Sequence, residues 1–382
     1  MKAMNYRGPY RIRVDDKPMP EILHPEDAIV RVTRACICGS DLHLYHGLVP
    51  DTRVGQTFGH EFIGVVEDVG SEVTAIKTGD RVLVPFNISC GTCFFCRKGL
   101  TADCHNTNPY SSLGGIFGYS HTTGGHDGGQ AEYVRVPFAN FNPTIIPDYV
   151  ADDDAVVLTD ACPTGYMAAE LGEIKENDTV VIFGAGPIGL FAAKAAWFFG
   201  AGRVIVIDHL DFRLEFARKF AQVETVNFLE VPDVVVHVKK LTDYLGADVC
   251  IDAVGAEADG STLHTILGIK WKLESGASTA LQWCINSVRK GGVVSVMGVY
   301  GPTGNLIPIG TAMNKGVTIR GSQCNVKRYL PRLFEHIREG RLKPSEVITH
   351  RLPLEEVAEG YHLFSQKKQD MIKPILLPRA AA

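Results

Sequence analysis

The chain has 382 residues, 45% of them apolar, with 38 basic and 43 acidic side chains, 39 glycines and 10 cysteines. It is too apolar to be disordered, and at roughly 100–200 residues per domain it has room for two or three domains, each able to bury a core without covalent staples. A net charge of -5 gives no basic footprint, which argues against capture of nucleic acid or of an acidic membrane surface.

Met1–Asp16 has no apolar stretch that could act as a secretory signal, so the expected setting is cytoplasmic and reducing. Ten cysteines there need an explanation other than disulfides. The uncharged segment Val180–Ala193 falls short of the roughly 20 residues of a transmembrane helix, and its glycines and proline suit a strand, a turn and a helix start.

Taken in chain order, the first half reads as strands such as Asp27–Thr33, Glu61–Val69 and Arg81–Pro85, separated by Gly, Pro and Asp turns with no helical spacing. That pattern predicts a mostly antiparallel β domain. From Thr179 onward, β-branched runs at Thr179–Phe183, Arg203–Asp208, Glu224–Phe228, Asp248–Val254, Gly292–Met297 and Val317–Gly321 alternate with helical segments at Ile188–Phe199, Asp211–Ala221 and Asp233–Leu245. Near-continuous apolar strands joined in this way predict a doubly wound α/β unit with a parallel sheet covered on both faces. Tyr329–Arg338 reads as a helix and Met371–Leu377 as a last strand, both expected to return to the first domain. The expected division is therefore 1–163 with 325–382, and 164–324 between them. Gly255–Ser278 is a long Gly/Ser-rich insertion, of the kind that is usually functional or disordered.

Three sets of residues carry chemistry. Gly184-Ala-Gly186-Pro187-Ile188-Gly189 follows a predicted strand and opens a predicted helix, where the glycines allow a tight turn, close backbone approach to a pyrophosphate, and helix–strand packing. The helix N-terminus adds free N–H groups and partial positive charge. Asp208 ends the next strand, placed to accept hydrogen bonds from an adenosine ribose. A 2'-phosphate there would meet like charge, which favours NAD over NADP, while Arg213 could stack on the adenine or pair with Asp208.

Cys90, Cys93, Cys96 and Cys104 place four thiols in a short Gly- and Lys-containing loop, matching a closed tetrahedral zinc site, with an iron–sulfur cluster as the competitor. Cys38-Gly39-Ser40-Asp41-Leu-His43, Gly59-His60-Glu61 and Asp160 form a third, scattered set. Taken singly, each has an ordinary structural reading: a core thiol, a loop histidine, a helix N-cap.

Taken together, the residues resemble the zinc-containing medium-chain alcohol dehydrogenases along essentially the whole chain. The likeness rests on Cys-Gly-Ser-Asp with His43, Gly-His-Glu, the four-cysteine lobe, Pro163-Thr164-Gly-Tyr166, the glycine motif and Asp208. Within that family, Val84–Cys90, Phe117-Gly-Tyr119, Gly128–Tyr133 and the insertion after Val254 look most like the glutathione-independent formaldehyde dehydrogenases and dismutases.

The resemblance implies a GroES-like catalytic domain joined to a Rossmann domain, two zinc ions per chain, NAD, a small alcohol or aldehyde substrate, and a homotetramer. It also implies a catalytic zinc held by Cys38, His60 and Asp160, with Cys162 as a rival ligand and Glu61 as a neighbour of the metal. Ser40 and His43 would form a proton relay, and Asp41 would orient His60. Phe86 would line the pocket, while Gly39, Thr164 and Lys373 would lie by the cofactor, Lys373 near the pyrophosphate. An insertion folded over the adenosine would hold NAD permanently and favour aldehyde dismutation; a surface loop or subunit contact is the other reading. A non-catalytic NAD-binding sensor is the alternative from another class.

Overall fold

The computed structural model describes residues 1–255, 278–300 and 306–378. Apart from its two ends, the insertion Gly255–Ser278 thus lies outside the described residues. The chain divides into two compact units, Met1–Pro163 with Cys324–Ala382, and Thr164–Gln323. Among the described residues, no helix is long and apolar enough to cross a membrane.

The first unit is built on a seven-stranded sheet in the order Ile348–Pro353, Lys373–Leu377, Ala28–Cys36, Phe62–Val69, Arg81–Val84 and Thr144–Ile145, with Tyr133–Val136 also paired to Ala28–Cys36. The Ile348–Pro353 and Lys373–Leu377 strands run parallel to each other, and every other pairing in the sheet is antiparallel. Ala35 lies opposite Phe62, and the Cys36 amide donates to the Glu61 carbonyl at 2.9 Å. This register brings the end of one strand and the start of the next side by side, each carrying candidate ligands just outside the sheet.

Short helices interrupt the expected run of strands and turns, at Gly39–Tyr45, Asp152–Val157 and Ala161–Leu171. They are too short, or too marked by Gly and Pro, to show a helical period. Pro163 sits in the first turn of its helix, where the missing N–H costs nothing.

Among its described residues, the second unit carries six parallel strands in the order Glu224–Asn227, Arg203–Asp208, Thr179–Phe183, Ala247–Asp252, Val288–Val296 and Thr318–Gly321. Chain order reverses between Thr179–Phe183 and Ala247–Asp252. In doubly wound sheets, ligands bind outside the carboxyl ends of the strands at such a switch point. The helix expected over Asp233–Leu245 is shorter, Val234–Leu241; Asp233 caps it by accepting from the Val236 amide, and Asp243 and Tyr244 take positive φ beyond its end.

Candidate functional site

The glycine motif separates by steric role. Gly184 turns at φ 102° against Val254, and a Cβ on Gly189 would stand 1.9 Å from the Gly184 carbonyl oxygen, so the third glycine is required for the helix Pro187–Phe198 to lie against its strand. Gly186 differs: among the described residues beyond its chain neighbours, a Cβ there would find nothing nearer than Arg213 Nη1 at 3.9 Å. That space beside a helix N-terminus fits a dinucleotide pyrophosphate.

Asp208 is committed within the chain as well. One of its oxygens accepts from the Ala185 amide at 2.8 Å, the other from the His209 and Leu210 amides, and Arg213 Nη1 lies 4.0 Å away. The carboxylate thus fixes the glycine loop while its spare lone pairs suit a ribose hydroxyl, and the pairing with Arg213 is the one the structure shows. Thr164 is buried near the start of the helix Ala161–Leu171.

The four thiols of the lobe converge. All ligand atoms of Cys90, Cys93, Cys96 and Cys104 lie within 4.8 Å of one another, and Cys90–Cys96 and Cys93–Cys104 sulfurs stand 4.0 Å apart. Four thiolates around one zinc at about 2.3 Å give sulfur–sulfur edges of about 3.8 Å. Thiolates on separate irons of a cluster would spread further, so the geometry favours a single ion.

Gly91 and Gly99, both at φ 78°, let the loop fold tightly, and amides of Thr92, Cys93, Cys96 and Cys90 point at the sulfurs of Cys90, Cys93 and Cys104. Burial opposes ionisation of Cys93, yet the Cys96 and His105 amides outweigh it and bring its thiol down to about 6. Burial pushes Cys96 and Cys104 up.

The scattered set also converges. Ligand atoms of Cys38, His60, Glu61 and Asp160 lie within 4.8 Å of one another. Asp160 Oδ2 is 4.0 Å from Cys38 Sγ and 3.4 Å from His60 Nε2, close to the edges of a tetrahedron around zinc. Cys162 is buried outside this group, and desolvation raises its thiol well above the ordinary range, as for a small hydrophobe.

Cys38 is the N-cap of the helix Gly39–Tyr45, and its amide donates to Asp41 Oδ2 at 2.9 Å. Asp41 Oδ1 faces His60 Nδ1 at 3.3 Å, which leaves Nε2 directed at Asp160 and Cys38. Burial works against a charged imidazole, but Asp41, Cys38 and Asp160 hold the His60 pKa well above its usual value. A pocket with sulfur, nitrogen and carboxylate donors and this excess of negative character fits a borderline-soft divalent cation such as zinc.

Ser40 Oγ lies 3.4 Å from His60 Nε2, and His43 is one turn further along the same helix, buried. The Phe86 ring stands edge-on to His60 at 6.1 Å. Lys373 finds a different first partner from the expected pyrophosphate: its ammonium is paired with the Glu61 carboxylate, both side chains 1% exposed. Burial raises Glu61, and the Lys373 charge offsets part of that rise.

Sequence reasoning missed Gln130 and Tyr361, both wholly buried behind Asp41. The string Gly128-Gly-Gln130 stands out by family resemblance alone; no local spacing links it to residues 41 or 361.

Comparison with known proteins agrees with this construction. Residues 24–148 match the alcohol dehydrogenase GroES-like domain, and residues 187–270 the zinc-binding dehydrogenase domain. An uncharacterized zinc-type alcohol dehydrogenase-like protein of Bacillus subtilis is 44% identical over 99% of this chain and all of its own. A glutathione-independent formaldehyde dehydrogenase of Pseudomonas aeruginosa is 33% identical over all of this chain and 99% of its own. The solved alcohol dehydrogenase of Thermus sp. ATN1 has 34% identity and a TM-score of 0.84, covering 99% of this chain and all of its own.

Proposed function

Because the chain belongs to the zinc-containing alcohol dehydrogenase family, we propose that it transfers hydride between NAD and a small alcohol or aldehyde, with Cys38, His60 and Asp160 holding the catalytic zinc. Bound zinc would supply Lewis acidity and the nicotinamide a hydride acceptor. The observation that carries this reading is the convergence of Cys38, His60 and Asp160, three ligands of three kinds, beside a serine hydroxyl. Three protein ligands leave a coordination position open, as catalysis needs, whereas the four-thiol lobe closes its own.

Ser40, close to His60, accepts the proton of the substrate hydroxyl as it gives up its own, and His43 takes the relayed proton on to solvent; an imidazole with an unperturbed pKa of about 6.5 suits that duty. Asp41 keeps the imidazole of His60 in one orientation. Lys373 holds the Glu61 carboxylate, so that Glu61 adds negative charge behind the ligands without filling the open position. Phe86 lines the apolar side of the pocket. Gly186, with Pro187 and Ile188 at the helix start, receives the pyrophosphate, and Asp208 accepts from the ribose, which favours NAD. Gly39 and Thr164 complete the cofactor contacts by family position.

The finer reading is formaldehyde or another small aldehyde. The motifs around Phe86, Phe117 and Gln130 and the full-length likeness to a formaldehyde dehydrogenase support it. The deciding experiment is a turnover screen of formaldehyde, other aldehydes, and primary and secondary alcohols with NAD, alongside metal analysis of the wild type and Asp160→Asn. Expected are chelator-sensitive turnover and two zinc ions per chain, falling towards one in the variant. No turnover with any of these substrates, or both ions and full activity in Asp160→Asn, would refute the assignment. Nicotinamide released from freshly purified, denatured protein would favour dismutation.

A further inference from the structure

Behind the Cys38–His60 group lies a buried glutamine: its side-chain amide bonds to the segment that carries Cys38, and its backbone N–H to the segment that carries His60. Gln130 is 0% exposed. Its Nε2 donates to the Cys36 carbonyl at 2.9 Å and to Asp41 Oδ2 at 3.3 Å, and its Oε1 accepts from the Tyr361 hydroxyl at 2.9 Å. Tyr361, on the helix Val357–Ser365, is also wholly buried and packs its ring against Tyr45 and Phe58.

We propose that Gln130, backed by Tyr361, is a positioning residue that sets the geometry of the Cys38–His60 metal site; this rests on the reading that Cys38, His60 and Asp160 hold zinc.

The argument is one of donors and acceptors. Asp41 has one oxygen facing His60 Nδ1 and the other accepting from the Cys38 amide and Gln130. Gln130 therefore helps decide which way the carboxylate turns, and the carboxylate decides how the imidazole is held. By bonding to Cys36 and Asp41 together, the same amide spans the segment that carries Cys38. On the other side, the Gln130 backbone N–H donates to the Phe58 carbonyl, and the side chain itself packs against the next residue: a Cβ on Gly59 would stand 2.4 Å from Gln130 Cγ. Gly59, at φ 96°, leaves that space empty so that Gln130 can lie directly beneath the residue preceding His60. One side chain thus touches the carriers of two ligands.

Only an amide meets these demands. A carboxylate at 130 would set acceptor against acceptor at both Cys36 and Asp41, and a methionine would fill the volume while making neither bond. Reversing the amide would place its oxygen against the Asp41 carboxylate, so the Tyr361 hydroxyl, by donating to Oε1, fixes the orientation. An ordinary buried polar group would also be satisfied, but it would not need to connect two metal-ligand segments to a third element.

The test uses the full-length protein carrying zinc, compared as wild type, Gln130→Met and Tyr361→Phe. Loss of each ion to excess chelator is timed, the visible spectrum is read with cobalt in the catalytic site, and kcat and KM for NAD are measured. Partners of metal ligands typically change affinity 10- to 100-fold. The catalytic ion should therefore leave roughly 10- to 100-fold faster from Gln130→Met, and by a smaller factor from Tyr361→Phe. The lobe ion should leave as in the wild type. The cobalt bands should shift, and kcat should fall with KM for NAD unchanged.

If both variants keep the wild-type release rate and cobalt spectrum and only melt earlier, the two residues merely pack, and the proposal is overturned. Should Gln130→Met fail to fold, Tyr361→Phe, which removes one oxygen, decides alone on the same two readouts. A wild type that holds only the lobe ion would overturn the zinc reading itself and this inference with it, a result distinct from the others.

Discussion

Gly186 and Gly189 offer opposed substitutions within one motif. At Gly186 the backbone lies at φ -75° and, among the described residues beyond its chain neighbours, the nearest atom to an added Cβ is 3.9 Å away, so Gly186→Ala should fold and melt like the wild type. A methyl group in that space would keep the pyrophosphate from the backbone. Losing one charge-assisted hydrogen bond costs about 1.5–3 kcal/mol, or roughly 10- to 150-fold in the dissociation constant for NADH.

At Gly189 the added atom would sit 1.9 Å from the Gly184 oxygen, and the helix must shift. Forced overpacking costs about 1–3 kcal/mol, and about 2–4 °C in melting temperature per kcal/mol for a unit of this size. Calorimetric NADH titration and thermal melts of both variants separate the two effects. Wild-type NADH affinity in Gly186→Ala would show that the dinucleotide does not approach the loop. An early melt of Gly186→Ala, like that of Gly189→Ala, would contradict the steric division between them.

Lys373→Met strands the Glu61 carboxylate where it is 1% exposed; breaking a buried pair from one side costs about 3–5 kcal/mol, and Glu61→Gln in the same chain should restore most of it. Chemical denaturation of zinc-loaded protein measures this, and a single variant within about 1 kcal/mol of wild type would mean that another group balances Glu61. His126 is held down to about 4, by burial first and the Arg135 charge second. The unfolded chain protonates it below about 6.5, so this contribution is present above pH 6.5 and is lost as pH falls towards 4. By pH 5 about 2 kcal/mol of it has been lost. His126→Gln should weaken the difference in urea stability between pH 7 and pH 5; an unchanged difference would assign the acid sensitivity elsewhere. Ser40→Ala and His43→Ala should each lower kcat by roughly 100-fold or more across pH 6 to 9, and unchanged turnover in both would remove the proton relay.

What could be read in advance depended on separation along the chain. The lobe cysteines lie within fifteen residues, and the glycine motif within six, so spacing conveys their chemistry directly. The alternating runs after Thr179 likewise expose a parallel sheet, because each buried strand is apolar on both faces. Asp160 and Cys162 were another matter: two residues apart, both plausible ligands, they are distinguished by which side of a helix start faces His60. The contacts of Gln130 with Asp41 and of Tyr361 with Gln130 join residues 89 and 231 positions apart. Such links depend on strand register, which no local pattern encodes. The helix Gly39–Tyr45, held at its start by Cys38 and Asp41, is too short for periodicity to reveal.

The strand Lys373–Leu377 sits between Ile348–Pro353 and Ala28–Cys36, and the Ile37 amide donates to the Pro374 carbonyl one residue before Cys38. During synthesis on the ribosome, Ala28–Cys36 is made early, and its partner only after more than 300 further residues, including the whole intervening unit, have been added. Until then that end of the strand presents unpaired amides, a hazard for edge-to-edge association. The nascent chain can shape its dinucleotide loop before it can complete the backbone frame around Cys38. On the reading that Cys38, His60 and Asp160 hold zinc, the frame around that site is therefore complete only once Lys373–Leu377 has been made, whereas the four-thiol lobe draws its ligands from one contiguous stretch of chain.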